Sequence, residues 1–163
     1  MSTTGTLCPL CQHPTATYDP SARTLICTDC EHVEPVTLVL AMTLWDVAID
    51  INNREFAKCV TVEKEQGCDE DTWLAALGND KKTNAIEAQQ RAIRAEYMTT
   101  DGIFDVQQVV LITTIKHYVQ DLADSPDVTP ESRQQVLELL ETTALKPQVL
   151  VTWARKVLAK AYK

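Results

Sequence analysis

The chain has 163 residues, of which 45% are hydrophobic, with six cysteines, only four glycines and a formal net charge of −8. That length suits one ordinary domain plus a small one, and the apolar share is enough to bury a core. An acidic chain lacks the broad basic surface of nonspecific nucleic-acid binders, which work by neutralising many phosphates.

The opening stretch Met1-Ser2-Thr3-Thr4-Gly5-Thr6 is polar and does not read as a secretory signal. Next come Cys8-Pro9-Leu10-Cys11, a gap of fifteen residues, and Cys27-Thr28-Asp29-Cys30. Two such pairs at this separation predict one four-thiolate zinc site, with Cys8, Cys11, Cys27 and Cys30 as the ligands. Four protein ligands leave no position for water or substrate, so the expected Zn2+ is structural. The rival reading is a redox Cys-x-x-Cys, but that motif belongs at a strand-to-helix junction and does not call for a matching second pair. His13 and His32, each two residues beyond a pair, are expected beside the site rather than in it, because the cysteines already complete the shell.

Between the pairs, Ala16-Thr17-Tyr18 and Thr24-Leu25-Ile26 have strand composition, and 19–23 supplies a proline-containing turn. Residues 1–36 are thus predicted to be a small zinc ribbon of short antiparallel strands, with Tyr18, Asp19 and Arg23 as its exposed contact surface. The junction falls near Glu34-Pro35, and 37–163 are predicted to form an all-α domain of five to six helices.

In that second part, Leu38, Met42, Trp45 and Ile49 lie on one helical stripe beside Ala41 and Ala48, and Asp50 and Arg54 are spaced to pair. Asp69-Glu70-Asp71 reads as an acidic first turn and Gly78-Asn79 as a stop. Asn84 with Glu87 resembles a capping box opening a helix to about Met98, which Asp101-Gly102 would break. The next helix is expected from about Asp105 to Ala123, with Leu111, Ile115, Tyr118 and Leu122 on one face. Thr129-Pro130-Glu131 starts another, presenting Val136, Leu139 and Leu140. Leu145-Lys146-Pro147 starts the last, with Val149, Leu150, Trp153, Val157 and Leu158. Trp45, Trp73 and Trp153 all fall on apolar stripes and are expected in the core, and Cys59 and Cys68 are expected to be ordinary thiols.

Charge is uneven: −3 over 1–36, −10 over 37–145 and +5 over 146–163. Only the last segment, with Lys146, Arg155, Lys156, Lys160 and Lys163, offers nucleic acid a basic footprint. No apolar stretch is long enough to span a bilayer, so no membrane partner is expected. Paired thiols of metal type imply a reducing, intracellular compartment, cytoplasmic, or nuclear in a eukaryote. No nucleophile–base constellation or phosphate-binding glycine loop is visible, and an enzyme is not expected.

The segment Cys8-Pro9-Leu10-Cys11, Tyr18-Asp19-Pro20 and Leu25-Ile26-Cys27-Thr28-Asp29-Cys30 resembles the N-terminal zinc ribbon of the transcription factor IIB family over about 25 residues. Gln12 and Glu31 stand where that family usually carries glycine. The resemblance implies a ribbon that docks on RNA polymerase or a transcription complex, followed by room for a single cyclin-like helical repeat that binds a second partner. The alternative is a non-enzymatic zinc-ribbon adaptor, or a viral or mobile-element accessory protein, acting through protein–protein contacts.

Overall fold

The computed structural model describes residues 5–141 and 146–161, with 139–141 and 157–161 described by their backbone alone. A three-stranded antiparallel sheet comes first: β1 (Ala16–Asp19), β2 (Thr24–Cys27) and β3 (Val33–Pro35), in the spatial order β1-β2-β3. The first two strands and their turn lie where the sequence puts them. In the turn, the Asp19 carboxylate accepts from the N–H groups of Ser21 and Ala22 and from the Ser21 hydroxyl. Those bonds, the Ser21 hydroxyl foremost, hold its carboxyl below the usual range. The third strand was not expected. It has three residues and ends in Pro35, too short for alternation to reveal it, and it is set by the pairings Ile26↔Val33 and Thr24↔Pro35.

Six helices follow among the described residues: α1 (Leu38–Glu65), α2 (Glu70–Ala75), α3 (Asp80–Tyr97), α4 (Asp101–Ala123), α5 (Pro130–Glu141) and α6 (Pro147–Ala161). Thr37 opens α1, its hydroxyl accepting from the Leu40 N–H at 3.1 Å. The helix runs 28 residues, about 42 Å, and buries Leu38, Ala41, Leu44, Trp45 and Ala48. Met42 and Ile49, on the predicted stripe, are half-buried, and Asp50 pairs with Arg54 on the solvent side. Against this face lies α4, with Trp45 and Phe104 edge to face at 5.1 Å.

Two helix starts differ from expectation. Asn84 does not cap α3. Asn79 does, accepting from the Lys82 N–H in an extended conformation just after Gly78, whose φ is +91°. The first turn of α3 is Asp80-Lys81-Lys82-Thr83, so apolar periodicity starts late and hides the true beginning. Asn84 is exposed in the helix, and Glu87 accepts instead from the Trp73 indole N–H at 3.2 Å.

Asp101-Gly102 likewise does not break the chain but forms the first turn of α4. The break falls at 98–100, where Glu55 of α1 accepts from the N–H groups of Thr99 and Thr100 and from the Thr100 hydroxyl. Orphan donors near a helix start are satisfied here by a carboxylate on another helix, which no local pattern announces.

Farther along, Thr129 accepts from the Ser132 N–H ahead of Pro130, as the sequence predicts. Val136, Val151 and Trp153 pack partly buried against the core. Leu145 and Lys163 lie outside the described residues, as do the side chains of Leu139, Leu140, Val157, Leu158 and Lys160.

One buried cluster runs through both parts of the molecule. Leu7, Ala16, Leu25 and Val36 of the ribbon segment join Leu38, Leu44 and Trp45 of α1, Val110, Leu111, Ile115 and Val119 of α4, and Leu150 of α6. Arg23 also reaches Asp121 of α4 at 3.1 Å. A separate small cluster, built on Cys59, Cys68 and Ile93, ties the far half of α1 to α3. Among the described residues no helix is long and apolar enough to cross a membrane.

Candidate metal centre

The four predicted cysteines converge. Cys8 and Cys11 come from the loop before β1, Cys27 ends β2, and Cys30 lies in the turn to β3. Their sulfurs all lie within 4.8 Å of one another, with Cys8–Cys30 at 3.6 Å and Cys11–Cys27 at 3.7 Å. Such a cluster can hold one metal ion. Among the described residues it is the only group of three or more His, Cys, Asp or Glu side chains close enough to do so.

The two knuckles are built alike. The Cys8 N–H donates to the His13 carbonyl and the Cys27 N–H to the His32 carbonyl, each at 2.9 Å. Closing each loop this tightly drives one residue left-handed: Gln12 at φ +62° and Glu31 at φ +60°. These are the two positions where the resembling family usually has glycine. The knuckle shape is kept here by ordinary L-residues in a conformation that disfavours them.

The thiols are electrostatically unequal. The Thr15 hydroxyl, 3.2 Å from Cys27 Sγ, and the Cys30 backbone N–H lower the Cys27 thiol to about 6. At Cys30 the His32 backbone N–H acts to lower the value, but desolvation and the neighbouring thiols prevail and push it up to about 12. At Cys11 the His13 backbone N–H also acts to lower it, and burial with the adjoining thiols leaves it raised. A metal-free cluster therefore favours thiolate at Cys27 first, and a cation would draw the remaining protons off.

The histidines stand beside the cluster, as expected. His13 meets Asp29 at 3.2 Å on the surface, and His32 meets Glu34 at 2.8 Å. Cys59 and Cys68 are fully buried and far along the chain from the cluster, in the small α1–α3 cluster. Desolvation, reinforced by Glu63, raises both thiols.

The predicted contact residues of the hairpin are otherwise engaged. Tyr18 is partly buried against the core, Asp19 holds its own turn, and Arg23 pairs with Asp121. The exposed surface lies elsewhere. Thr17, Ile26 and Val33 are cross-strand neighbours on the outward face, with Ile26 44% and Val33 55% exposed, and Leu10 at the knuckle is 65% exposed. A signal was present in the sequence: Leu25 and Ile26 are adjacent, and neighbours on a strand face opposite ways. Leu25 took the core.

At the other end, Lys146, Arg155 and Lys156 are exposed on or before α6, while Trp153 is half-buried. Trp45 is buried in the main core and Trp73 half-buried over α3.

The fold and site thus define a class: a three-stranded ribbon with a four-cysteine, metal-competent cluster, seated on an α-helical body. No protein-family model, curated protein or solved structure matches the chain.

Proposed function

We propose that the chain is a non-enzymatic, transcription-associated protein whose structural zinc ribbon docks on RNA polymerase or a transcription complex while its helical body binds a second partner. The carrying observation is the exposed row Thr17–Ile26–Val33, apolar at Ile26 and Val33, on a ribbon whose four cysteines suffice for a complete tetrahedral shell. Zinc is the metal that best suits the donor set. A tetrahedron with Zn–S bonds of about 2.3 Å has edges of about 3.8 Å, and the Cys8–Cys30 and Cys11–Cys27 sulfur separations are 3.6 and 3.7 Å. Four thiolates bound to zinc supply rigidity, not chemistry. The residues that do the work are then Ile26, Val33 and Leu10, apolar groups held on a short sheet with little conformational freedom to lose on binding. The resemblance of the ribbon to the transcription factor IIB family points to polymerase as the surface they meet.

The test is a tagged pull-down from native lysate, comparing the wild type with the Cys27→Ser/Cys30→Ser and Ile26→Asp/Val33→Asp variants. The reading expects polymerase subunits on the wild type and on neither variant. Retention of the same subunits by the Ile26→Asp/Val33→Asp protein removes the apolar row from the account. Absence of polymerase from all three samples removes transcription from it.

A further inference from the structure

The ribbon meets the helical body along a cleft of about 420 Å³. The β1–β2 hairpin supplies Tyr18 and Arg23, the junction supplies 36–39, and α4 supplies Thr114 and Asp121 among others. None of the four clustered cysteines lines it, and neither does the exposed row of Thr17, Ile26 and Val33. Thr114 is the telling residue. It is 7% exposed, lines the cleft, and its hydroxyl is buried with no hydrogen-bond partner among the described residues. Threonines elsewhere in these helices behave differently. Thr43, Thr61 and Thr152 each donate to the carbonyl one turn earlier, at 2.8, 3.1 and 2.9 Å. Thr114 has the Val110 carbonyl at the same spacing and makes no bond to it. The hydroxyl of Tyr18, on the same cleft, is buried and unpartnered as well. Buried polar groups are nearly always satisfied, so two unmet hydroxyls on one cleft point to a bound molecule that meets them.

The class of that molecule follows from the walls. Val36, Leu38 and Val39, with the rings of Tyr18 and Tyr118, make the lining mainly apolar and partly aromatic. Apart from His117, the charged side chains of the lining are Arg23 and Asp121, which pair with each other at 3.1 Å. A charged ligand therefore finds no free counter-charge there. A hydroxyl suits the two unmet groups, since it donates to one and accepts from the other. The volume lies in the range of small-molecule sites.

We propose that this cleft binds a small, uncharged aromatic compound bearing one hydroxyl, its ring against the apolar wall and its hydroxyl bonded to Thr114 and Tyr18. Such a molecule touches the hairpin, the junction and α4 at once, so it fixes the seat of the ribbon on the body. The inference goes beyond the docking role above and does not rest on it.

The test titrates the full-length, zinc-loaded chain with para-isopropylphenol. Cumene, which lacks the hydroxyl, and para-isopropylbenzoate, which carries a charge in its place, are the controls. Neither polymerase nor lysate is involved, so failure here leaves the ribbon's role standing. Calorimetry should show saturable one-to-one binding of the phenol, at least about fivefold tighter than either control. The midpoint of thermal unfolding should rise with phenol concentration. Thr114→Val keeps the shape and removes the hydroxyl. It should weaken phenol binding about five- to tenfold and narrow the preference over cumene, with the free protein folded as before. Thr61→Val, on the far half of α1, should bind within about twofold of the wild type. Equal phenol binding by Thr114→Val and the wild type, a control bound as tightly as the phenol, or no saturable binding overturns the proposal.

Discussion

Gln107, in the middle of α4, accepts a hydrogen bond from the hydroxyl of Thr6, a residue 101 positions earlier, at 2.8 Å. The same side-chain oxygen accepts from the Leu7 N–H at 3.0 Å, and its amide donates to the Leu44 carbonyl of α1. Gln107 is 2% exposed and Thr6 fully buried. One carboxamide thus joins the entry to the cysteine loop, α1 and α4. Gln107→Ala leaves buried donors unmet and should cost at least about 2 kcal/mol. Urea unfolding followed by far-ultraviolet dichroism and by a ribbon-specific probe should show one shared transition at a lower midpoint. Two separate transitions in the wild type would contradict a common core.

The left-handed residues of the knuckles make an opposite prediction. Gln12→Gly and Glu31→Gly relieve backbone conformations that cost an L-residue about 1–2 kcal/mol, offset in part by glycine's greater freedom when unfolded. Each should raise stability by roughly 0.5–1 kcal/mol. Thermal unfolding of the metal-loaded proteins checks this, and a loss of stability would show that these side chains do something the geometry does not reveal.

The unequal thiols predict a pH dependence for the metal-free chain. Cys27 is depressed from 9.0 to about 6, so its contribution to stability is present above pH 9 and is lost as pH falls through about 6. Cys30 is raised from 9.0 to about 12, so its contribution is present below pH 9 and is lost as pH rises through about 12. Thiolate absorbance should therefore show one early titration. Thr15→Val, which removes the 3.2 Å hydroxyl contact, should move that titration upward. An unchanged titration in the variant contradicts the assignment to Thr15.

Where β1 meets α4, the hydroxyls of Tyr18 and Thr114 are buried without a hydrogen-bond partner among the described residues, beside a cleft of about 420 Å³. An unmet buried hydroxyl weakens the fold. Thr114→Val, which keeps the shape and removes the polar atom, should be neutral or stabilising by up to about 1 kcal/mol in chemical denaturation. A clear loss would mean that the hydroxyl is bonded in solution.

These features divide by how far apart in sequence their causes lie. The convergence of the four cysteines and the β1–β2 hairpin were legible because pair spacing, turn residues and strand composition are local. So were the core stripe of α1 and the Thr129-Pro130 start of α5. The start of α4 was not, because its cap is Glu55, 44 and 45 residues away from the groups it binds. Asn79 was passed over for Asn84 because charged residues fill the first turn of α3 and delay the apolar pattern. Gln107 lies on a buried face of α4 that is apolar apart from Thr114, with nothing nearby in sequence to show that its partners were Thr6 and Leu7.

The central claim is a single closed zinc centre of four thiolates that holds the ribbon in its docking form. X-ray absorption at the zinc edge, on protein whose metal content has been measured, tests it most directly. The account predicts one zinc per chain with four sulfur neighbours at about 2.3 Å and no nitrogen or oxygen in the shell. A nitrogen or oxygen neighbour, or folded protein that takes up no zinc, would contradict it.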